Sequence, residues 1–457
     1  MCTSRIIRSI GQVVHLTVML VLIGGSQAWA AIPGITGTNF NFTAKTNHIY
    51  GADGLSFQIW GFAHEAGPAQ YPGPTMIINQ GDTVTVNVTN ELAEPVSMIF
   101  PGQGDVAAAE VSPLTQTGLV TLEALPGGTV SYTFTAPEPG TYYYQSGTNM
   151  DKQCQMGLFG ALIVRPAAPF NDGKHAYNHE DSQYDREILL LLSEMDVNHQ
   201  EMVEFGEPID TTTFWPVYWF INGRNAPDTM AMPGVPWLPA QPYNCMPRIN
   251  PGDRLLMRFI GMSRDVHPFH THGNHMRLIA RDGRLLSSDP GVTGADLSIE
   301  IFGNSVAPGT TSDAIFTWTG EGLGWDIYGP IEIGCVDADN DGYDDGSGDP
   351  CHDATCTDGD SDHFDDATHE YCPDHGDPMP VILPEGLELT FGGFYSGSPF
   401  LGAGEALPPG EGGLNPNGGF TYMWHSHKEK EMVNNDIFPG GLMTMLIVEP
   451  WWVEIPE

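Results

Sequence analysis

The sequence predicts an all-β protein built from two copies of one domain, and three observations predict it. Short runs of alternating apolar and polar residues, punctuated by Gly and Pro, begin at Ile35 and recur to the end of the chain. The first half holds no long amphipathic helical pattern. Phrases are also repeated between the halves, the mark of an internal duplication.

In the first half, Thr83-Val-Thr-Val-Asn-Val88, Thr129-Val-Ser-Tyr-Thr-Phe134, Gly140-Thr-Tyr-Tyr-Tyr144 and Gly160-Ala-Leu-Ile-Val164 read as strands of a sandwich or barrel. A polar stretch from Pro166 to Asp185 reads as a linker. The pattern restarts with Glu187–Leu192, Tyr218–Ile221, Arg254–Ile260 and Met276–Ile279, and closes with Phe420–Trp424 and Leu442–Val448. Asn79-Gln-Gly-Asp82 is echoed by Asn250-Pro-Gly-Asp253, and Gly157-Leu-Phe-Gly-Ala-Leu-Ile-Val164 by Gly441-Leu-Met-Thr-Met-Leu-Ile-Val448. The expected organisation is a leader over 1–30, a first domain over 35–166, a linker over 167–185 and a second domain over 186–450, interrupted by an acidic insert over 335–377.

At the start, Arg5 and Arg8 precede an apolar run from Val13 to Gly24 and then Ala28-Trp-Ala30, the pattern of an export signal cut near Ala31. That run is short of the ~20 apolar residues of a membrane helix, so a periplasmic or extracellular protein with no membrane span is expected. Seven cysteines fall to six without Cys2, an even number suited to disulfides in an oxidising compartment. Four of the six cluster in the insert and are expected to pair among themselves, which leaves Cys154 to pair with Cys245. With 17 Lys and Arg against 57 Asp and Glu, the net charge of −40 excludes nucleic-acid binding and favours cations. Fifteen of the acids lie between Cys335 and Asp377, where there is no Lys or Arg.

Two frames carry candidate chemistry: His267-Pro-Phe-His270-Thr-His272-Gly and Trp424-His425-Ser-His427. Four imidazoles in two short frames exceed what packing needs, and imidazole suits copper, zinc, iron or nickel. His275 follows closely enough to orient a ligand. Lys428-Glu-Lys-Glu431 offers two carboxylates that either complete a metal site or face water as a charged turn, the commoner fate of such residues.

These frames, with Pro72-Gly-Pro-Thr75, Gly81-Asp-Thr-Val, Pro139-Gly-Thr-Tyr-Tyr-Tyr144 and Gly440-Gly-Leu-Met443, resemble the multicopper oxidase family over nearly all of the chain except the insert and the leader. The resemblance implies tandem cupredoxin Greek-key β-sandwiches, with the acidic loop inserted in the second. It assigns His270, His272, His425 and His427 to a copper cluster of which the first domain should supply the other half. Ile99-Phe-Pro101-Gly102 and Gln145-Ser-Gly147 stand there instead. His267 matches the first histidine of the electron-entry copper, but Ser426 stands in place of its cysteine and Glu431 near its second histidine. A hydroxyl does not replace the thiolate bond that tunes that copper, so neither blue colour nor ordinary laccase turnover is expected. The two-domain layout suggests a homotrimer, although the missing first-domain ligands remove the metal-based reason for one.

In the insert, Asp337, Asp339, Asp341 and Asp345 around Gly342 follow the alternating-carboxylate pattern of a calcium loop. A second copy, Asp358-Gly-Asp360-Ser-Asp362, has His363 where the glycine belongs. The sequence thus leads to an exported copper-binding protein of oxidase ancestry, an oxidoreductase if a residual copper serves a small reductant or a protein partner. The rival reading is a non-catalytic calcium-stabilised scaffold.

Overall fold

The computed structural model describes residues 32–262, 264–321, 357–374, 397–398 and 420–455. The leader lies outside the described residues. The strands from Ile35 to Arg165 form two main sheets, beside a small hairpin of Thr115–Thr117 and Leu122–Ala124. One runs in the order Ile35–Thr36, Gly73–Asn79, Phe159–Arg165, Gly140–Gln145; the other runs Ser56–His64, Asn39–Tyr50, Thr83–Asn90, Thr129–Thr135, Ala107–Glu110. Alternation dictates the packing. Val84, Val86 and Val88 face inward between threonines and join Phe42, Phe62, Met76, Tyr144 and Leu162 in a core drawn from both sheets.

The second half repeats this plan. Tyr218–Ile221, Arg186–Met195, Arg254–Gly261, Thr311–Thr317 and Met276–Arg281 form one sheet, continued by Arg284–Leu285 and Ile299–Ile301. Arg248–Ile249, Met443–Val448, Phe420–Ser426, His267–Thr271 and Gly303–Val306 form the other. Each half places a parallel pair in each sheet, the mixture expected of Greek-key sandwiches rather than of simple hairpins. The duplicated turns match bond for bond: Asn79 N–H donates to Asp82 Oδ2 and Asn250 N–H to Asp253 Oδ2, both at 2.9 Å.

The continuous apolar run of Arg186–Met195 reflects burial on both faces. Leu190 and Leu192 enter the second core, while Leu189 and Leu191 enter a third core that joins the sandwiches through Ile59, Tyr71, Phe159 and Phe220. A charged network also crosses this junction. Arg165 Nη1 and Arg258 Nε reach Glu187 at 2.8 and 3.0 Å. Thr141 Oγ1 donates to Asp313 at 2.6 Å, and the Tyr177 hydroxyl also donates to Asp313. Burial alone would raise the Glu187 carboxyl, but the two guanidiniums outweigh it and hold it at about 2. The stretch read as a linker is packed rather than free: Ala176, Tyr177 and Tyr184 are buried with Leu256 and Ile279.

The expected Cys154–Cys245 disulfide is not formed; both cysteines are free and buried. Cys154 sits on the short helix Met150–Met156 beside the first sandwich, whereas Cys245 belongs to the core of the second and donates to the Ile221 carbonyl at 3.0 Å. Each thiol is enclosed in its own half of the molecule. Burial pushes both up to about 12, the state of inert packed thiols. Cys372 is disulfide-bonded, and its partner lies outside the described residues.

Candidate metal centre

Strand register builds the centre. His267–Thr271 and Phe420–Ser426 pair antiparallel, with His270 opposite His425 and Thr271 opposite Trp424, so two imidazoles start on one face of the sheet as neighbours. His272 and His427 follow two residues on, the spacing that returns a side chain to the same face. The chain turns at Gly273, whose φ of +99° and contact with Tyr422 and Trp318 exclude a side chain. The Trp424 indole N–H donates to the His272 carbonyl at 3.0 Å and ties the turn to the facing strand.

The four rings gather closely. The centroid of His270 lies 4.8 Å from those of His272 and His427 and 5.8 Å from that of His425; His425 lies 5.1 Å from His272 and from His427. His270 Nδ1 is 2.6 Å from the Phe302 carbonyl and His425 Nδ1 is 2.8 Å from the Ser426 carbonyl, so both rings carry the proton on Nδ1. Their Nε2 atoms are left as lone pairs. His272 Nε2 and His425 Nε2 stand 3.1 Å apart, a separation that two bonds of about 2 Å to one ion span, and His270 Nε2 is buried with no hydrogen-bond partner. Burial chiefly, with the neighbouring imidazoles adding, pushes His270 down to about 4 against the opposing pull of the Phe302 carbonyl. Burial lowers His425 too. Two buried imidazoles lowered in this way, His270 and His425, one of them with an orphaned nitrogen, fit a nitrogen-ligated ion. Among the described residues no three imidazole nitrogens lie within 4.8 Å of one another; the one triplet of potential ligand atoms that does is Asp358, Asp360 and Asp362.

The first sandwich shows the same ladder without the ligands. Gln145 pairs with Phe159 as His425 pairs with Met443, and Ser146 N–H donates to Leu158 as Ser426 N–H donates to Leu442, both at 2.9 Å. Ile99 bridges Gln145 as His270 bridges His425. Ile99, Pro101, Gln145 and Gly147 therefore hold the places that His270, His272, His425 and His427 hold in the second sandwich.

His267 does something else. It is fully buried, with Nε2 3.0 Å from Glu194 Oε2 and Nδ1 3.1 Å from Glu431 Oε2. Ser426 Oγ donates to Glu431 Oε2 at 2.6 Å, Lys428 Nζ lies 3.1 Å from Glu431 Oε1, and the backbone N–H groups of Arg264 and Asp265 donate to Glu194 Oε1 at 2.7 and 2.8 Å. Burial would lower the imidazole, but the two carboxylates outweigh it and raise it to about 9. Both ring nitrogens of His267 thus lie within hydrogen-bond distance of a buried carboxylate. Glu431 is thus buried in an ion pair, not part of a charged turn facing water, while Glu429 beside it is exposed. A histidine-resolved NMR titration is expected to show His267 charged up to about pH 9 and His270 neutral down to about pH 4. Titration of both near the ordinary ~6.5 would refute this assignment.

Two residues of the site escaped sequence reasoning. Glu194 was signalled weakly, as an acid closing an otherwise apolar strand; Phe302 acts partly through its backbone carbonyl, which no residue pattern announces. Asp337, Asp339, Asp341 and Asp345 lie outside the described residues. His275 is exposed, its ring 6.0 Å from that of Phe302.

Paired Greek-key sandwiches, one of them carrying two His-x-His strands side by side, define a cupredoxin-type protein. Residues 66–169 match the multicopper oxidase family. L-ascorbate oxidase of Cucurbita pepo var. melopepo is 35% identical over 147 residues, which are 31% of this chain and 24% of that protein. A probable nitrite reductase-hydroxylamine oxidoreductase fusion protein of Kuenenia stuttgartiensis is 26% identical over 235 residues, 50% of this chain and 24% of that one. The chain spans about a quarter of the length of these relatives. The blue copper oxidase of Nitrosomonas europaea shares the fold, with a TM-score of 0.51 and 20% identity over 90% of this chain and 85% of that one. Residues 66–169 are thus similar to multicopper oxidases and the fold is cupredoxin-like, while among the described residues no three-copper histidine cluster is assembled. Among them, no helix is long and apolar enough to cross a membrane.

Proposed function

We propose that this is an exported copper protein that holds copper between His272 and His425, with His270 and His427 beside them, and has given up both the electron-entry copper and the complete three-copper cluster. The observation that carries this reading is the pair of Nε2 atoms 3.1 Å apart beside the orphaned Nε2 of His270. Copper bound there supplies one-electron redox chemistry. The chain's own part is to keep His270 and His425 neutral and to fix their protons on Nδ1. Electrons then come directly from a small reductant or a protein partner, because His267, Ser426 and Glu431 are committed to one another. No intense blue thiolate-to-copper absorption is expected in the visible spectrum, and its appearance on copper loading would contradict this reading.

Copper loading followed by dialysis and elemental analysis tests the proposal, with calcium read in the same samples. About one copper retained per chain, and lost in both His272→Ala and His425→Ala, is the expected result. A calcium-stabilised scaffold is the second reading, favoured by Asp358, Asp360 and Asp362, whose ligand atoms all lie within 4.8 Å of one another. Calcium retained without copper would decide for it.

A further inference from the structure

We infer that Phe302 is a positioning and gating residue of the imidazole cluster: its carbonyl sets the tautomer of His270 while its ring closes the open side of the cluster, so that it governs what reaches an ion or reagent site at His270 Nε2. The inference deepens the copper reading and rests on it for the identity of the ion, though not for the gate itself.

The backbone of Phe302 is pinned on both sides. Ile301 pairs with Met276 in one sheet, and Gly303 pairs with His270 in the other. Phe302 therefore spans the gap between the sheets at the edge of the cluster, and its carbonyl accepts the His270 Nδ1 proton at 2.6 Å. That bond leaves Nε2, buried and without a partner, as the lone pair available to a metal. The ring lies nearly flat on the His270 imidazole, centroids 3.9 Å apart and planes 20° apart, and its centroid is 5.3 Å from that of His427. His270 is fully buried, whereas Phe302 is 37% exposed and His427 is exposed. The phenyl ring thus covers one face of the buried imidazole and itself reaches solvent. Stacking on a neutral, apolar-faced imidazole accounts for its place.

The gate is tested without metal by the rate at which diethyl pyrocarbonate modifies His270 Nε2, mapped by peptide mass in the full chain at neutral pH. Phe302→Ala keeps the carbonyl and removes the ring, so His270 is expected to react several-fold faster. Phe302→Tyr keeps the ring and is expected to behave as the parent. His175 and His199, both buried far along the chain, serve as references that stay unchanged. An unchanged rate at His270 in Phe302→Ala overturns the proposal, and so does a rise at all three histidines, which marks general loosening. With copper bound, Phe302→Ala is expected to lose the ion to a chelator about tenfold faster at unchanged stoichiometry. Should the parent bind no copper while Phe302→Ala still uncovers His270, the copper reading fails and the gate stands.

Discussion

Replacing His267 with Leu is expected to destabilise the protein by roughly 3–5 kcal/mol, the penalty for removing one partner of a buried ion pair. The reason lies in what remains. Glu194 Oε2 and Glu431 Oε2 would lose their shared proton donor and be left with an apolar side chain between them, although each carboxylate keeps other partners. Urea unfolding at pH 7 measures the loss, and a change below about 1 kcal/mol would mean that the network carries little weight. Glu431→Gln retains an acceptor and removes one charge, so its effect is expected to be smaller, about 1–2 kcal/mol. The pH dependence has a definite sign. A pKa raised to about 9 in the folded state means that the stabilisation from His267 is complete below its ordinary ~6.5 and is lost as pH rises through about 9. The gap between the parent and His267→Leu should therefore narrow in alkali.

A loss of similar size, roughly 3–5 kcal/mol, is expected for Glu187→Ala, because it strands the guanidiniums of Arg165 and Arg258, one nearly buried and one fully so. This network sits where strands of both sandwiches and the connecting stretch meet, so differential scanning calorimetry is expected to show the junction loosening: a single transition in the parent and two in the variant. A single unshifted transition would refute that role. Here the sign runs the other way. A carboxyl held at about 2 contributes fully above its ordinary value and loses its contribution as pH falls through about 2. The difference between Glu187→Gln and the parent should persist through mild acid.

Much of the fold was legible because the physics that builds it is local. Alternation in Thr83–Asn90 fixes which face is buried, and the repeated Gly-Leu-x-x-x-Leu-Ile-Val phrases correspond, residue for residue, in the strand register of the two halves. The His-x-His frames were legible for the same reason, since period two places both rings on one face. What escaped depends on partners far along the chain. Glu194 meets His267 and Glu431 only after two strands and the turn at Glu429–Met432 have come together, and Ser426 gives no sign in sequence of the carboxylate it serves. The cysteine pairing failed because parity says nothing about distance: Cys154 and Cys245 lie in opposite halves, each buried there. The packing of the linker was not legible either, because Tyr177 and Tyr184 bury their rings against residues far along the chain.

The matched ladders give the chain a built-in reference. One frame holds imidazoles at four places and its twin holds Ile99, Pro101, Gln145 and Gly147 at the equivalent ones, yet both keep the same cross-strand bonds. Donor atoms and scaffold are therefore separable inheritances within one molecule: the backbone tolerates being blank. Transplanting histidines onto the empty ladder asks, against an identical solvent, charge and expression background, how little a β-sandwich needs in order to acquire a metal.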